Sequence, residues 1–361
     1  MNVSLEYMGG SGIQVGESPT MVGLGWLLNA GGVVTRTVRG MPDDMPTYGY
    51  LYASSLPADW RSDGNKYYHD SLDSQQDIFQ FNFPGHSGKF YKGKNGQIVT
   101  VPLSKIKIIP KYATNQSWID LYQTLMSFRI IAEDGVKYDF EEGCYSYVDV
   151  DDVSYSPTPS GYYGVQHGTA WYLTRIISPF GNDTIKFNYQ TGGGAYGFKL
   201  PQITYVNNSD GSRITPTFAP GSAGSTERKI TSIELPDKTN VSFVYSYLTT
   251  YSEGDYALSK IQIKDTALRF GYLLGYDTSY QVPKHGHSPG YNTIPVKLLL
   301  TSVTPYTKQE KQQGYSFAYN GSMPKPGSPG DTIYNKKDYW GFFNGIIENH
   351  PDTTLPRIAP Y

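Results

Sequence analysis

Residues 173–189 read LTRIISPFGNDTIKFNY, and this stretch decides the fold class. Its first part is mainly apolar, its centre holds Pro, Gly and Asn, and its last part alternates apolar and polar residues. Alternation with a period of two is typical of a strand that buries one face, while Pro, Gly and Asn favour a turn. The stretch therefore predicts an antiparallel hairpin whose second strand ends in Phe-x-Tyr.

The same pattern occurs three more times along the chain. Residues 230–245 read ITSIELPDKTNVSFVY, residues 258–272 read LSKIQIKDTALRFGY, and residues 300–319 begin with LTSV and end with FAY. Each copy opens with (Leu/Ile)-(Thr/Ser)-x-(Ile/Val) and closes with Phe-x-Tyr. The copies are unevenly spaced, which argues against a strict solenoid and indicates a sheet that grows by irregular hairpins.

Two further hairpins are predicted in the first half of the chain. Residues 128–140 place Asp134-Gly135 between two alternating runs, which is a strong short-range hairpin signal. Residues 89–101 turn through Asn95-Gly96 in the same way. Helix is expected only at Trp118–Met126, where several apolar side chains share one helical face.

Together these patterns predict an all-β protein of many short antiparallel hairpins in an extended, curved or shell-like sheet, with very little helix. We expect an N-terminal β region over residues 1–152 and irregular hairpin repeats, continuous with it, over residues 167–361. Residues 153–166 are rich in Ser, Pro, Gly and Tyr, so a loop is expected there as the boundary.

The composition agrees with this architecture. The chain has 33 tyrosines and 39 glycines among 361 residues; tyrosine is β-prone and amphipathic, and glycine supplies turns. The net charge of −2 and the pI of about 6.3 argue against a nucleic-acid partner. Since no long uninterrupted apolar run occurs, no membrane span is expected. A single cysteine, Cys144, excludes an internal disulfide.

Three blocks of sequence carry a family resemblance. Residues 23–43 read GLGWLLNAGGVVTRTVRGMPD, residues 79–90 read FQFNFPGHSGKF, and residues 338–345 read DYWGFFNG. In this order they resemble the N-terminal part of the large RHS/YD-repeat proteins of Bacteroidetes, in which a Gly-Leu-Gly-Trp-x-Leu-Asn-Ala-Gly-Gly stretch precedes Arg-x-x-Arg-Gly. A related turn occurs in the salmonella-virulence-plasmid and insecticidal-toxin B type of N-terminal region.

The resemblance implies a non-enzymatic structural module, without a cofactor, of a large secreted or cell-surface bacterial protein. Its β shell would carry or enclose a C-terminal cargo or toxin domain, so the expected partners are the downstream repeats and C-terminal domain of the same polypeptide. No signal peptide is visible in the sequence, and we expect both ends to be cuts within a longer polypeptide. The signature residues of the resemblance are Gly23, Gly25, Trp26, Asn29, Gly31, Gly32, Arg36, Arg39, Trp340 and Gly341.

Two other functions stay open on the sequence alone. Aromatic side chains could stack on sugars, which would make the chain a carbohydrate-binding or adhesive module of the cell surface. The weaker alternative is a polysaccharide-acting enzyme, whose two carboxylates the sequence does not single out. His285 and His287 have a spacing that suits two metal ligands, but no third ligand follows by spacing, so no metal site is predicted. The residues considered for glycan stacking are Trp60, Tyr67, Tyr68, Tyr162 and Tyr163.

Overall fold

Every regular element that the computed structural model describes is a β-strand. The described residues are 3–8, 19–39, 42–44, 49–51, 75–112, 125–148, 165–191, 228–247, 256–280 and 297–319. The strands of the first half are β1 (Ser4–Tyr7), β2 (Trp26–Asn29), β3 (Val33–Thr37), β4 (Ile78–Phe83), β5 (His86–Lys92), β6 (Ile98–Val101), β7 (Lys107–Tyr112), β8 (Leu125–Ile131) and β9 (Lys137–Val148). Those of the second half are β10 (Val165–Ile177), β11 (Thr184–Thr191), β12 (Arg228–Glu234), β13 (Asn240–Tyr247), β14 (Tyr256–Lys264), β15 (Leu268–Tyr280), β16 (Lys297–Tyr306) and β17 (Tyr315–Ser316). The fold is therefore all-β, as predicted.

The chain forms two compact units. The central unit is Gly31–Ile230, and the discontinuous unit combines Met1–Ala30 with Thr231–Tyr361. The boundary predicted at residues 153–166 lies mostly outside the described residues, and β10 already begins at its end. The division into 1–152 and 167–361 stays a prediction.

The central unit holds an antiparallel sheet organised around β10. β9 pairs with β10 from Val165 to Ile177. The other edge of β10 is shared, since β3 pairs with Ala170–Tyr172 and β11 pairs with Arg175–Ile177. From β3 the order continues through β4 and β5 to β6, and from β9 it continues through β8 to β7. Long-range pairing thus brings β3 next to a strand more than 100 residues later in the sequence.

Aromatic side chains fill the core of the central unit. The alternation of β4 points Phe79, Phe81 and Phe83 inward, and each is at most 4% exposed. Phe79 stacks on Phe90 of β5 with ring centroids 4.9 Å apart, which is a favourable geometry for aromatic pairs. The core therefore lies between the β4–β5 hairpin and strands β8 to β10. The buried aromatic residues are Phe79, Phe81, Phe83, Phe90, Phe128, Tyr138, Phe140, Trp171 and Phe187.

The discontinuous unit has a largely aliphatic core. Its strands run in sequence order from β12 to β17, each antiparallel to the next. β1 and β2 pair separately as a two-stranded sheet, with Tyr7 opposite Trp26. Leucine, isoleucine and valine are the most frequent buried residues of the discontinuous unit, because the inward positions of β14 and β16 carry these residues. The buried aliphatic residues are Val22, Leu24, Ile233, Leu258, Ile261, Leu274, Leu298, Leu299 and Leu300.

The structure confirms all six predicted hairpins. The four copies of the repeat form the pairs β10–β11, β12–β13, β14–β15 and β16–β17. Residues 128–140 form the β8–β9 hairpin, and residues 89–101 form the β5–β6 hairpin. Local alternation with turn residues was therefore sufficient to locate them.

The helix predicted at Trp118–Met126 is wrong at its C-terminal end. Leu125 and Met126 are the first residues of β8, and Leu125 lies opposite Tyr112 in β7. Residues 118–124 lie outside the described part of the chain. The apolar spacing matched a helix, but pairing with β7 decides the conformation of this end, since tertiary context overrides a weak local preference.

Candidate functional site: a tryptophan-anchored turn and a buried arginine clamp

The Gly-Leu-Gly-Trp segment forms a tight turn in front of β2. The backbone N–H of Gly23 donates to the carbonyl of Thr20 at 3.0 Å, and that of Trp26 donates to the carbonyl of Gly23 at 3.1 Å. Gly23 has a φ of +106°, and a Cβ there would lie 3.0 Å from the backbone nitrogen of Leu300. Both the dihedral angle and the close approach require glycine at this position.

This turn is hydrogen-bonded to the starts of two later strands. The N–H of Leu24 donates to the carbonyl of Leu298 at 2.7 Å, and the N–H of Leu258 donates to the carbonyl of Met21 at 2.8 Å. Val22 and Leu24 are fully buried. The turn therefore satisfies backbone groups of β14 and β16 that would otherwise be buried without partners.

Trp26 anchors the turn through its indole ring. The indole Nε1–H donates to the hydroxyl of Tyr319 at 2.9 Å, and that hydroxyl donates to the carbonyl of Leu300 at 2.6 Å. The Trp26 ring also packs against Tyr7 and Phe317, with centroids 5.1 and 4.7 Å away. Burial raises the pKa of Tyr319, so its hydroxyl stays protonated and acts as both acceptor and donor in this relay.

Three repeat copies are closed in the same way by a tyrosine hydroxyl. The hydroxyls of Tyr189, Tyr276 and Tyr319 donate to the carbonyls of Leu173, Leu258 and Leu300, at 2.8, 2.7 and 2.6 Å. Each leucine is the first residue of its copy and is fully buried. We call each such bond a tyrosine rung; it ties a tyrosine at or just beyond the end of a copy to the first residue of that copy.

In the third copy the rung is made by a tyrosine that the sequence pattern missed. Phe270-x-Tyr272 matches the consensus, but Phe270 is 40% exposed. The rung comes from Tyr276, with Leu274 buried in the position that phenylalanine takes in other copies. A register shift between Gly275 and Tyr276 moves the pairing with β16. The spacing apolar-x-Tyr at 274–276 was the signal that could have found it.

In the central unit, Arg36 forms the centre of a buried ionic cluster. Its Nε donates to Asp77 Oδ2 at 2.7 Å, and its Nη2 donates to Asp44 Oδ1. The side chains of Arg36 and Asp77 are 1% and 0% exposed. Burial opposes the charge of Arg36, but the negative charges of Asp44 and Asp77 outweigh it and raise the pKa of the guanidinium. Arg36 therefore stays charged inside the protein.

The same carboxylates bind backbone N–H groups from several segments. Asp77 accepts from the N–H groups of Arg39 and Asp43, each at 2.9 Å, and Asp43 Oδ1 accepts from the N–H of Asp77 at 3.0 Å. Asp44 Oδ2 accepts from the N–H of Leu125 at 3.0 Å. We call this set the arginine clamp: it joins the end of β3, the turn at 42–44 and the starts of β4 and β8.

The clamp separates the roles of the two signature arginines. The side chain of Arg36 lies inside the clamp, whereas Arg39 is exposed and contributes its backbone N–H. Sequence reasoning missed Asp43, Asp44 and Asp77. The adjacent Asp43-Asp44 pair after Arg39 was visible in the sequence, but its relation to Asp77 depends on the fold.

The other described signature residues serve close packing and edge contacts. Gly32 lies so near β4 that a Cβ would come within 2.6 Å of the Phe83 Cβ, and its carbonyl accepts from the N–H of Leu173 at 2.9 Å. Gly25 and Gly31 have positive φ angles. Asn29 is exposed and donates from Nδ2 to Glu6 Oε1 at 3.3 Å.

The remaining predicted site residues lie outside the described part of the chain. None of the residues that the structure describes forms a group of three or more His, Cys, Asp or Glu that could hold a metal ion. The described residues also contain no helix with the length and apolarity that crossing a membrane requires. The predicted residues without a structural description are Trp60, Tyr67, Tyr68, Tyr162, Tyr163, His285, His287, Trp340 and Gly341.

Sequence comparisons leave the chain without an assigned family, since no family model and no curated protein matches it. Among solved structures, the chain is similar to one in the crystal structure of TcdB2-TccC3-Cdc42, with a TM-score of 0.34 and 12% identity over 84% of this chain and 15% of that chain. It is also similar to one in a Photorhabdus luminescens Tc holotoxin pore, with a TM-score of 0.38 and 10% identity over 84% of this chain and 14% of that chain. The solved structures it resembles are thus Tc toxin components, and the chain spans about 15% of their length. Both TM-scores are too low to support a functional conclusion.

Proposed function

We propose that this chain is a non-enzymatic structural module of a large secreted or cell-surface RHS/YD-repeat protein. It forms part of a β shell that carries or encloses a C-terminal cargo or toxin domain of the same polypeptide. Its partners are accordingly the downstream repeats and that C-terminal domain. Its contribution is mechanical: it holds a sheet of hairpins in a fixed arrangement, and no cofactor takes part.

The repeated tyrosine rung is the observation that carries this proposal. Three hairpins use the same hydroxyl-to-carbonyl bond between the ends of their two strands. A recurring hydrogen bond of this kind holds the two strands of each hairpin together in the same way. Hairpins of one design can therefore follow one another along the chain. The resemblance of residues 23–43 and 79–90 to RHS/YD proteins supports the same interpretation.

The two signature segments support the proposal because their contacts are structural. The turn around Trp26 satisfies backbone groups of β14 and β16, and the arginine clamp binds four chain segments through Arg36, Asp44 and Asp77. The turn and the clamp both form hydrogen bonds where irregular segments meet the sheet. A scaffold needs such devices, since irregular backbone at a sheet end otherwise leaves polar groups unsatisfied.

Limited proteolysis of the parent polypeptide tests the proposal. The parent protein, containing this chain and its downstream region, is digested alongside its C-terminal domain expressed alone. We expect the C-terminal domain to be cut much more slowly within the parent, because a shell excludes the protease. Equal cleavage rates in the two samples would contradict the proposed role.

A pair of variants links that protection to this chain. Trp26→Ala removes the anchor of the turn, so cleavage of the C-terminal domain should accelerate. Tyr315→Ala removes an aromatic side chain that is 70% exposed and should leave the cleavage rate unchanged. Release of new reducing ends from polysaccharides by the purified chain would separately contradict a non-enzymatic role.

A further inference from the structure

One face of the central sheet carries a concentration of positive charge. The pairing register places Ile109, Arg129, Asp139, Arg175 and Lys186 side by side across strands β7 to β11. Residues directly opposite each other in a ladder point to the same face, so these five side chains form one continuous row. We call this row and the row described next, together with Lys111 and Glu141, which lie two residues beyond Ile109 and Asp139, the basic face.

The second row lies two residues away along each strand. The same pairs place Lys107, Ile131, Lys137, Ile177 and Thr184 next to one another. The two rows together hold five cations and one carboxylate. Because the whole chain has a net charge of −2, this face is strongly enriched in positive charge relative to the rest of the protein.

The carboxylate in the first row orients the arginines around it. Asp139 is 2% exposed and accepts from Arg129 Nε and Nη2 at 2.6 and 2.9 Å. Arg175 Nη2 lies 3.1 Å from Asp139 and 2.6 Å from Glu141. Both arginines still have about two fifths or more of their side chains exposed. Asp139 thus fixes the positions of two guanidinium groups that stay partly exposed on this face of the sheet.

Three lysines complete the face with free ammonium groups. Lys107, Lys111 and Lys186 are exposed, and the described residues give none of them an ion-pair partner. Lys111 lies two residues beyond Ile109 on β7 and therefore points the same way. The opposite side of these strands faces the aromatic core, since Phe128 and Phe140 alternate with Arg129 and Asp139.

The chemistry of the two rows selects among polyanions. They contain no aromatic side chain, so they offer no platform for the base stacking on which single-stranded nucleic acids depend. The face of a multi-stranded sheet also presents no helix or two-stranded ribbon of the kind that enters a duplex groove. Planar guanidinium groups with a fixed orientation suit carboxylate or sulfate groups, which they bind through paired hydrogen bonds. A line of such cations across the strands matches a linear chain of anionic groups.

We propose that the basic face binds an anionic polysaccharide, a linear polymer with carboxylate or sulfate groups. The polymer lies across strands β7 to β11, with Arg129 and Arg175 as its central contacts and the three lysines as its outer contacts. This binding depends on charge and uses none of the aromatic residues considered for sugar stacking.

Affinity chromatography on immobilised heparin and polygalacturonate tests this inference at low and rising salt. The triple variant Lys107→Gln, Lys111→Gln and Lys186→Gln is compared with the wild type. We expect about a tenfold loss of affinity, since each exposed ion pair contributes a few tenths to one kcal/mol. Retention of the wild type should fall as salt rises.

A matched variant controls for total charge. Lys260, Lys308 and Lys311 are exposed lysines of the discontinuous unit, and changing all three to Gln alters the net charge by the same amount. This control should keep wild-type affinity, and circular dichroism should show the same fold for both triple variants. Equal losses in both variants, or no retention of the wild type on either polymer, overturns the proposal. Stronger binding to duplex DNA or to phosphatidylserine vesicles overturns it as well.

Discussion

The two units stabilise their sheets in different ways. The central unit packs phenylalanine and tryptophan rings, fixes its irregular segments with the buried ion pairs of Arg36, and links neighbouring strands with the ion pairs around Asp139. It also contains the Tyr189 rung. The discontinuous unit packs aliphatic side chains and fixes its strand ends with neutral tyrosine rungs, those of Tyr276 and Tyr319. Its ion pair between Arg269 and Asp265 lies at an exposed turn.

The difference shows what each kind of bond is used for. The Arg36 ion pairs join segments of the central unit that share no ladder, such as the turn at 42–44 and the start of β4. The ion pairs around Asp139 instead join strands that already pair. The rungs of the discontinuous unit join strands that already pair, so a single neutral hydrogen bond suffices. Removing one partner of a buried ion pair costs far more than removing one neutral hydrogen bond. The two units should therefore respond differently to mutation and to pH.

The largest expected effect comes from Arg36→Leu in the central unit. Two buried carboxylates, Asp44 and Asp77, would lose their cation, and the free energy of unfolding should fall by about 3 to 5 kcal/mol. Hydrogen exchange should show the loss first in β3, β4 and the start of β8. Urea unfolding followed by circular dichroism measures the total loss of free energy of unfolding.

Arg269→Leu is the matched control in the discontinuous unit. Arg269 also pairs with an aspartate, at 2.8 Å from Asp265, but its side chain is 54% exposed. An exposed pair of this kind contributes at most about 1 kcal/mol, so the variant should be near wild type. If Arg36→Leu proved equally mild, the ion-pair account of the central unit would be wrong.

The hairpins of both units could be predicted from the sequence because they are local. Alternation and turn residues within about 20 positions specify β8–β9, β5–β6 and the four repeat copies, and all six form. The register is strongly specified since a slip by one residue would expose the buried face. Local signals were thus sufficient to locate these six hairpins.

The remaining features depend on contacts between distant segments. The arginine clamp needs Arg36 and Asp77, 41 residues apart, to meet after β3 has paired with β4. The rung of Tyr276 depends on a register shift in β15; the local sequence offers both Phe270-x-Tyr272 and Leu274-x-Tyr276, and the pairing with neighbouring strands decides between them. The basic face also escaped the sequence reading, because its cations come from five strands and become neighbours only through the pairing register.

Alkaline pH should destabilise the two units to different extents. Burial raises the pKa of Tyr245 and Tyr276 above the usual value for tyrosine, so both phenols stay protonated in the folded state when the unfolded state ionises. The contribution of these protonated phenols to the free energy of unfolding is fully present below the unfolded pKa of about 10. It is lost as pH rises towards the folded pKa. Each should lower the free energy of unfolding by about 1.4 kcal/mol per pH unit in that range.

Hydrogen exchange and urea unfolding on either side of about pH 10 measure this loss. The steeper decline is expected in β13 to β16, because Arg36 in the central unit keeps its charge throughout. Burial also raises the pKa of Tyr138, which adds a contribution of the same sign to the central unit. A stability that falls more steeply with pH in β3 and β4 than in β14 would contradict the proposed difference between the units.

The smallest expected effect on stability comes from Tyr276→Phe, which separates the hydrogen bond of the rung from the packing of the tyrosine ring. Tyr276→Phe keeps the ring and removes the hydroxyl that donates to the carbonyl of Leu258 at 2.7 Å, so the free energy of unfolding should fall by about 1 kcal/mol. The same change should flatten the alkaline decline, since one buried phenol is gone. Tyr315→Phe is the control, because that side chain is 70% exposed and should change neither quantity. If Tyr276→Phe were neutral and the alkaline decline unchanged, the repeat would be fixed by ring packing, and the contrast with the ionic central unit would reduce to the composition of the two cores.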